Sequence, residues 1–148
     1  MRLRRNVGVV VKNREGKVLA GLRTHASGDK AWQLPQGGIE GREKPATAAY
    51  RELREETGLD PRAVKLLREH EGWIDYLLPP TMAAGRKFNG QTQKWYLFEY
   101  LEQGLPDITK ATDKEFEQLA WVEMDWLIAH VIEFRKPVYK RVKSLFRL

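Results

Sequence analysis

The sequence predicts an α/β or α+β sandwich in which a mixed sheet carries helices packed on its outside. Three observations predict it. The chain opens with two aliphatic, β-branched runs, "NVGVVVKN" and "KVLAGLR"; a stretch of good helix formers, Ala46 to Thr57, follows; and later strand-like runs give way to two closing helical segments. With 148 residues, 42% of them hydrophobic, and five tryptophans, the chain has material for one core, and residues 1–148 are read as a single domain.

Asn13, Arg14, Glu15 and Gly16 join the first two runs as a hairpin turn, so the domain opens with antiparallel strands. A polar loop, Thr24 to Lys30, leads to "AWQLPQGG", where Pro35 and the paired glycines are expected to forbid regular structure and to make a tight, exposed loop. Pro45 suits the first turn of a helix, and Gly58 stands where a left-handed cap would end it. Beyond it, "AVKLLREHEGWIDYLLP" reads as one or two strands, "GRKFNG" as a basic turn and "TQKWYLFEYL" as a strand. "LPDITKATDKEFEQ" is a polar connection and "LAWVEM" a short strand. "DWLIAHVIEF" and "PVYKRVKSLFRL" close the chain as helices, one starting near Met124 or Asp125 and the other at Pro137.

No run approaches the roughly 20 apolar residues of a membrane span, and the start is too short in apolar residues for a signal peptide, so a soluble cytoplasmic protein is expected. The absence of cysteine excludes disulfides, thiolate nucleophiles and zinc–thiolate sites, leaving oxygen or histidine for any metal. His25, His70 and His130 are scattered without metal-ligand spacing. The net charge of +6 gathers in the tail "FRKPVYKRVKSLFRL", which carries no acid and suits either a polyanionic partner or a solvated helix face.

The opposite charge gathers in "GGIEGREKPATAAYRELREETGL", residues 37–59. Glu52, Glu55 and Glu56 stand at i, i+3 and i+4, which a helix brings onto one face, while Ala49 and Leu53 point toward apolar neighbours. Like charges so spaced destabilise a helix by roughly 0.2–0.5 kcal/mol per pair, a penalty that Arg51 or Arg54 can offset. A hard divalent cation such as magnesium would turn the repulsion into coordination, because it prefers oxygen ligands and leaves positions for water and phosphate.

The order Gly37, Glu43, Arg51-Glu52-Leu53, Glu55-Glu56, Gly58-Leu59, with its intervals, resembles the Nudix box at each defined position. The resemblance implies the Nudix α/β/α sandwich, with a mixed sheet between helices, and hydrolysis of a nucleoside diphosphate linked to another moiety with magnesium or manganese. It implies that Glu52, Glu55 and Glu56 are metal ligands or position metal-bound water, that the Gly37 carbonyl is a possible further ligand, and that Arg51 and Glu43 orient the others. Gly41-Arg42 stands before Glu43 where relatives often carry Pro-Gly; the spacing is kept.

Outside the box, "NVGVVV", "WQLPQGGIE", "GQTQKWYLF", "EFEQLAWV" and "FRKPVYKRV" resemble the branch of RNA 5′ pyrophosphohydrolases and asymmetric dinucleoside polyphosphate hydrolases. That resemblance implies 5′-triphosphorylated RNA or a diadenosine polyphosphate as substrate, with no obligate protein partner evident. It makes Glu115 a candidate base or further metal ligand, with Glu117 the weaker candidate. Arg23, Tyr76, Lys94, Phe134 and Arg135 match its substrate-side positions: Tyr76 or Lys94 for phosphate, and Phe134 with Arg135, or Arg23 across the cleft, to sandwich a base. Phe116, Trp32, Trp95 and Trp121 read as core. The rival readings are a Nudix-fold protein that binds nucleotide or RNA without turnover, and an enzyme acting on nucleoside triphosphates or ADP-ribose. The intact set of box glutamates argues against the pure binder.

Overall fold

A computed structural model describes residues 2–148. Its strands are β1 (Leu3–Lys12), β2 (Val18–Thr24), β3 (Lys30–Gln33), β4 (Gln36–Gly38), β5 (Val64–Glu69), β6 (Ile74–Leu77), β7 (Gly90–Tyr100) and β8 (Gln118–Val122). Its helices are α1 (Pro45–Thr57), the short α2 (Pro80–Ala83), α3 (Met124–His130) and α4 (Lys136–Phe146). They form one mixed eight-stranded sheet in the order β3-β2-β1-β7-β5, with β4 also on β1, β6 on β7 and β8 on β2.

The spine is the parallel pair of β1 and β7, in register from Leu3 opposite Gly90 to Lys12 opposite Glu99. All other pairings are antiparallel. The opening hairpin forms as expected at its turn, where the Asn13 side chain accepts from the backbone N–H groups of Glu15 and Lys17. The strands then part. β1 and β2 share the Lys12–Val18 register, while β4 takes β1 from Asn6 to Gly8 and β2 turns to β3 and β8.

Alternation along the spine sends side chains to two cores. Val7, Val9, Val11, Tyr96 and Phe98 meet Ala48, Ala49 and Leu53 of α1 on one face. Val10, Trp95 and Leu97 meet Leu127 of α3 and Val138, Tyr139 and Val142 of α4 on the other. This is the expected α/β sandwich. Trp95 and Phe116 are core as read, while Trp32 is half-buried against Trp126.

One expectation fails. "AWQLPQGG" is neither irregular nor exposed: it forms β3 and β4 around a buried Leu34-Pro35. The Pro35 carbonyl accepts from the Val9 N–H, the Tyr139 hydroxyl accepts the Leu34 N–H at 2.7 Å, and β4 pairs with β1 from Asn6 to Gly8. The strand-like stretch after α1 resolves into two strands, β5 and β6, and α2 was not foreseen. Among the described residues, no helix is long and apolar enough to cross a membrane.

Candidate active site

α1 begins with Pro45 at its first turn and ends at Gly58, whose φ of 79° is the left-handed cap its position suggested. Its apolar side packs on the sheet, which leaves Arg51, Glu52, Glu55 and Glu56 along the side facing β4 and the loop before β8. Arg51 organises this side. Its Nε and Nη2 donate to the two oxygens of Glu43, both at 2.8 Å, and Nη2 also donates to the Gly38 carbonyl. Its Nη1 donates to Glu52 at 2.8 Å and to Glu55 at 3.1 Å. The guanidinium therefore neutralises part of the charge that the helix concentrates, and holds Glu43 below the usual carboxylate range.

Carboxylate oxygens of Glu52, Glu55 and Asp113 lie within 4.8 Å of one another. Burial pushes Glu52 up to about 7, against the pull of Arg51 and with the help of Glu55 and Asp113. Glu56 turns to a different neighbourhood. Its Oε1 accepts the Gln36 N–H at 2.8 Å, while Oε2 is buried without a donor among the described residues. Burial first, and the neighbouring Glu115 carboxylate next, hold Glu56 well above the usual range. Two carboxylates in such proximity need a shared proton or a cation between them.

The donor set fits a hard divalent cation. It consists of the carboxylate oxygens of Glu52, Glu55 and Asp113, with the orphaned Glu56 Oε2 on the same helix. Gly37 supplies the space: a Cβ there would overlap the Glu52 carboxyl group.

Beside the acidic residues opens a cleft of about 560 Å³. Gly37 and Glu115 belong to its lining, as do Arg23, Phe134 and Arg135. Arg23 stands 4.0 Å from Glu115. Arg135 is buried, donates to Gln33 at 2.9 Å and lies over the Phe134 ring at 5.1 Å. Tyr76 is behind this wall, stacked on Phe134 at 5.9 Å, with its hydroxyl donating to Gln91. Lys94 does not line the cleft; its ammonium donates to the Glu71 carbonyl and pairs with Glu69 at 3.5 Å. Glu117 pairs with Lys30 and accepts from Thr24, apart from the acidic cluster.

Asp113 and His25 are among the cleft or cluster residues that escaped the sequence reading. Asp113 lies in a polar connection with no local signal, and reaches Glu55 because its N–H donates to the Glu55 carbonyl at 2.9 Å. His25 lines the cleft with a buried Nε2 that has no partner among the described residues, and burial together with Arg135 and Arg23 lowers its pKa.

An α/β/α sandwich whose helix presents an oxygen-ligand cluster to a nucleotide-sized cleft defines a class of metal-dependent phosphohydrolases. Residues 2–142 match the NUDIX domain, and the chain belongs to the Nudix family. It is a hydrolase acting on pyrophosphate bonds. It is 43% identical to the RNA pyrophosphohydrolase of Bartonella tribocorum, covering 97% of this chain and 90% of that one. Among solved structures it is similar to a Nudix hydrolase from Nitrosomonas europaea, with a TM-score of 0.73 at 17% identity, over 99% of this chain and 89% of that one. A binary complex of the C. elegans Ap4A hydrolase gives 0.68 at 14% identity, over 96% and 98%.

Proposed function

We propose that this chain removes pyrophosphate from 5′-triphosphorylated RNA, using magnesium or manganese, and that the same pocket accepts diadenosine polyphosphates. The observation that carries this reading is the junction at Gly37 and Glu115, where the acidic cluster meets a cleft lined by the Phe134 ring and four guanidinium groups. A terminal nucleotide needs a stacking surface, and its phosphate chain needs cations. The name of the Bartonella relative supports RNA as the first substrate to test. A cytoplasmic setting belongs to the same reading.

Glu52, Glu55, Glu56 and Glu115, with the Gly37 carbonyl, are the proposed holders of the metal, and Asp113 joins them on the side of Glu55. When bound, a divalent cation polarises phosphoryl oxygen and makes water a better nucleophile. Arg51 orients Glu52 and Glu55 and keeps them apart from Glu43. Once a bound cation has ionised it, Glu56 would offer Oε2, which has no donor among the described residues, to accept a proton from the attacking water, with Glu115 as the alternative base. Phe134 supplies a face for the base, backed by Tyr76, while Arg23 and Arg135 hold phosphate or cover the base from the far side. Lys94, engaged elsewhere, acts on substrate only after leaving Glu69.

The deciding experiment compares magnesium-dependent pyrophosphate release from 5′-triphosphate RNA with cleavage of diadenosine tetraphosphate. RNA is expected to be the faster substrate, and Glu56→Gln to lose about 10²-fold or more of turnover with the fold intact. Faster cleavage of the dinucleotide would reassign the enzyme to nucleotide pools. Near-normal turnover of the variant at saturating magnesium would remove Glu56 from the proton transfer.

A further inference from the structure

Cationic side chains gather outside the cleft at the start of β1 and in the segment before β7. Arg4 and Arg86 line one wall of the cleft, and Arg2, Arg5 and Lys87 continue from them over exposed surface. None of these forms an ion pair among the described residues. Three of them are seated on half-buried aromatic rings. Arg2 lies over Phe88 at 5.8 Å, with Lys87 at 5.6 Å from the same ring, and Arg5 lies over Trp73 at 5.3 Å.

The two segments are fastened together. The Asn89 N–H donates to the Arg2 carbonyl at 2.8 Å, and the Arg2 N–H donates to Asn89 Oδ1 at 3.1 Å. Because strand residues alternate, Arg4 faces the cleft while Arg5 faces Trp73 beyond it. β4 pairs with β1 from Asn6 to Gly8 and the Ile39 N–H closes on the Arg5 carbonyl, so the first residues of β1 lie beyond β4.

We propose that this arm is a track for single-stranded RNA, carrying nucleotides downstream of the one held in the cleft. The proposal rests on RNA being the substrate. A guanidinium supported by a ring loses less freedom on binding, and presents both a plane for a base and N–H groups for phosphate. Unpaired cations beside aromatic rings are the recurrent makings of a surface that follows a single strand without reading its sequence. Acidic groups mark the border of the track: Glu69 and the Glu71 carbonyl already engage Lys94, the other cation at Trp73, and Glu71 and Asp75 are exposed nearby. The basic tail is the poorer candidate, since Lys136 is paired with Glu133 and Lys143 with Asp125.

The test uses the full chain and the triple variant R2S/R5S/K87S, which touches no cleft-lining residue. Its substrates are a triphosphorylated dinucleotide and a 5′-triphosphate RNA long enough to cross the arm. For the long RNA, KM should rise roughly tenfold with kcat held, and the salt dependence of log kcat/KM should weaken by about two, since each lost phosphate contact on a single strand removes about 0.7. For the dinucleotide, KM should stay at the wild-type value. The charge-matched control K140S/R141S/R147S should leave both substrates unaffected. An equal rise on both substrates, an equal rise in the control, or no rise on the long RNA overturns the track while the substrate reading stands. Failure of the wild type to cleave 5′-triphosphate RNA at all overturns that reading and the track with it.

Discussion

Gly37 lies where β4 passes the Glu52 carboxyl group, and its missing side chain is what lets the two meet. Gly37→Ala should therefore move Glu52 rather than unfold the sheet. The magnesium concentration for half-maximal rate should rise severalfold, while the urea midpoint shifts little. An unchanged magnesium dependence would show that Glu52 has no part in holding the metal. The same residue explains how the box was legible in the sequence. Its intervals are fixed by helix periodicity and by a glycine that a neighbouring carboxylate requires, and both are local. Asp113 is the contrary case: its place beside Glu55 depends on a loop returning to α1 from far along the chain, and no local pattern announces it.

At the scale of the element, α1 stops because Gly58 adopts φ 79°, and its N–H returns to the Arg54 carbonyl. A Cβ there would also stand 2.7 Å from the Asp107 carbonyl oxygen. Gly58→Ala should cost about 1–3 kcal/mol in urea unfolding, the sum of a left-handed alanine and a displaced loop. Magnesium dependence should be unaltered in the folded fraction, in contrast to Gly37→Ala; full stability of the variant would contradict the assigned cap. The ends of α1 were readable because Pro45 and Gly58 act through their own backbone preferences. β3 and β4 were not, because Pro35 and the glycines signal a loop, and the pairing that overrides them comes from β1 and β2. Lys94 shows the same limit: a strand pattern places it on β7 but gives no account of Glu69 and Glu71, which take its ammonium.

For the whole molecule, the buried acids link stability to pH. Glu52 is raised from 4.5 to about 7 and Glu56 is raised further, so the metal-free fold is favoured while they are protonated. That contribution is complete below pH 4.5 and is lost as pH climbs through about 7, so the melting temperature without metal should fall across this window. In the proposed site magnesium would bind the ionised groups, and its stabilising shift should grow over the same range. Thermal melts with chelator and with magnesium check both slopes. A magnesium shift that is independent of pH would separate these acids from the metal.

The parallel spine has a further consequence, for synthesis. β1 emerges first, yet its partner β7 lies 87 residues away, as in the bond from Gln93 to Asn6. Glu115 and Tyr139, which complete the cleft side and the Leu34 turn, emerge later still. A growing chain therefore carries "NVGVVV", an uncharged run with four valines, without its parallel partner β7 through more than half of translation. That run is the segment a chaperone has most reason to shield, and hydrolysis waits until nearly the entire polypeptide has left the ribosome.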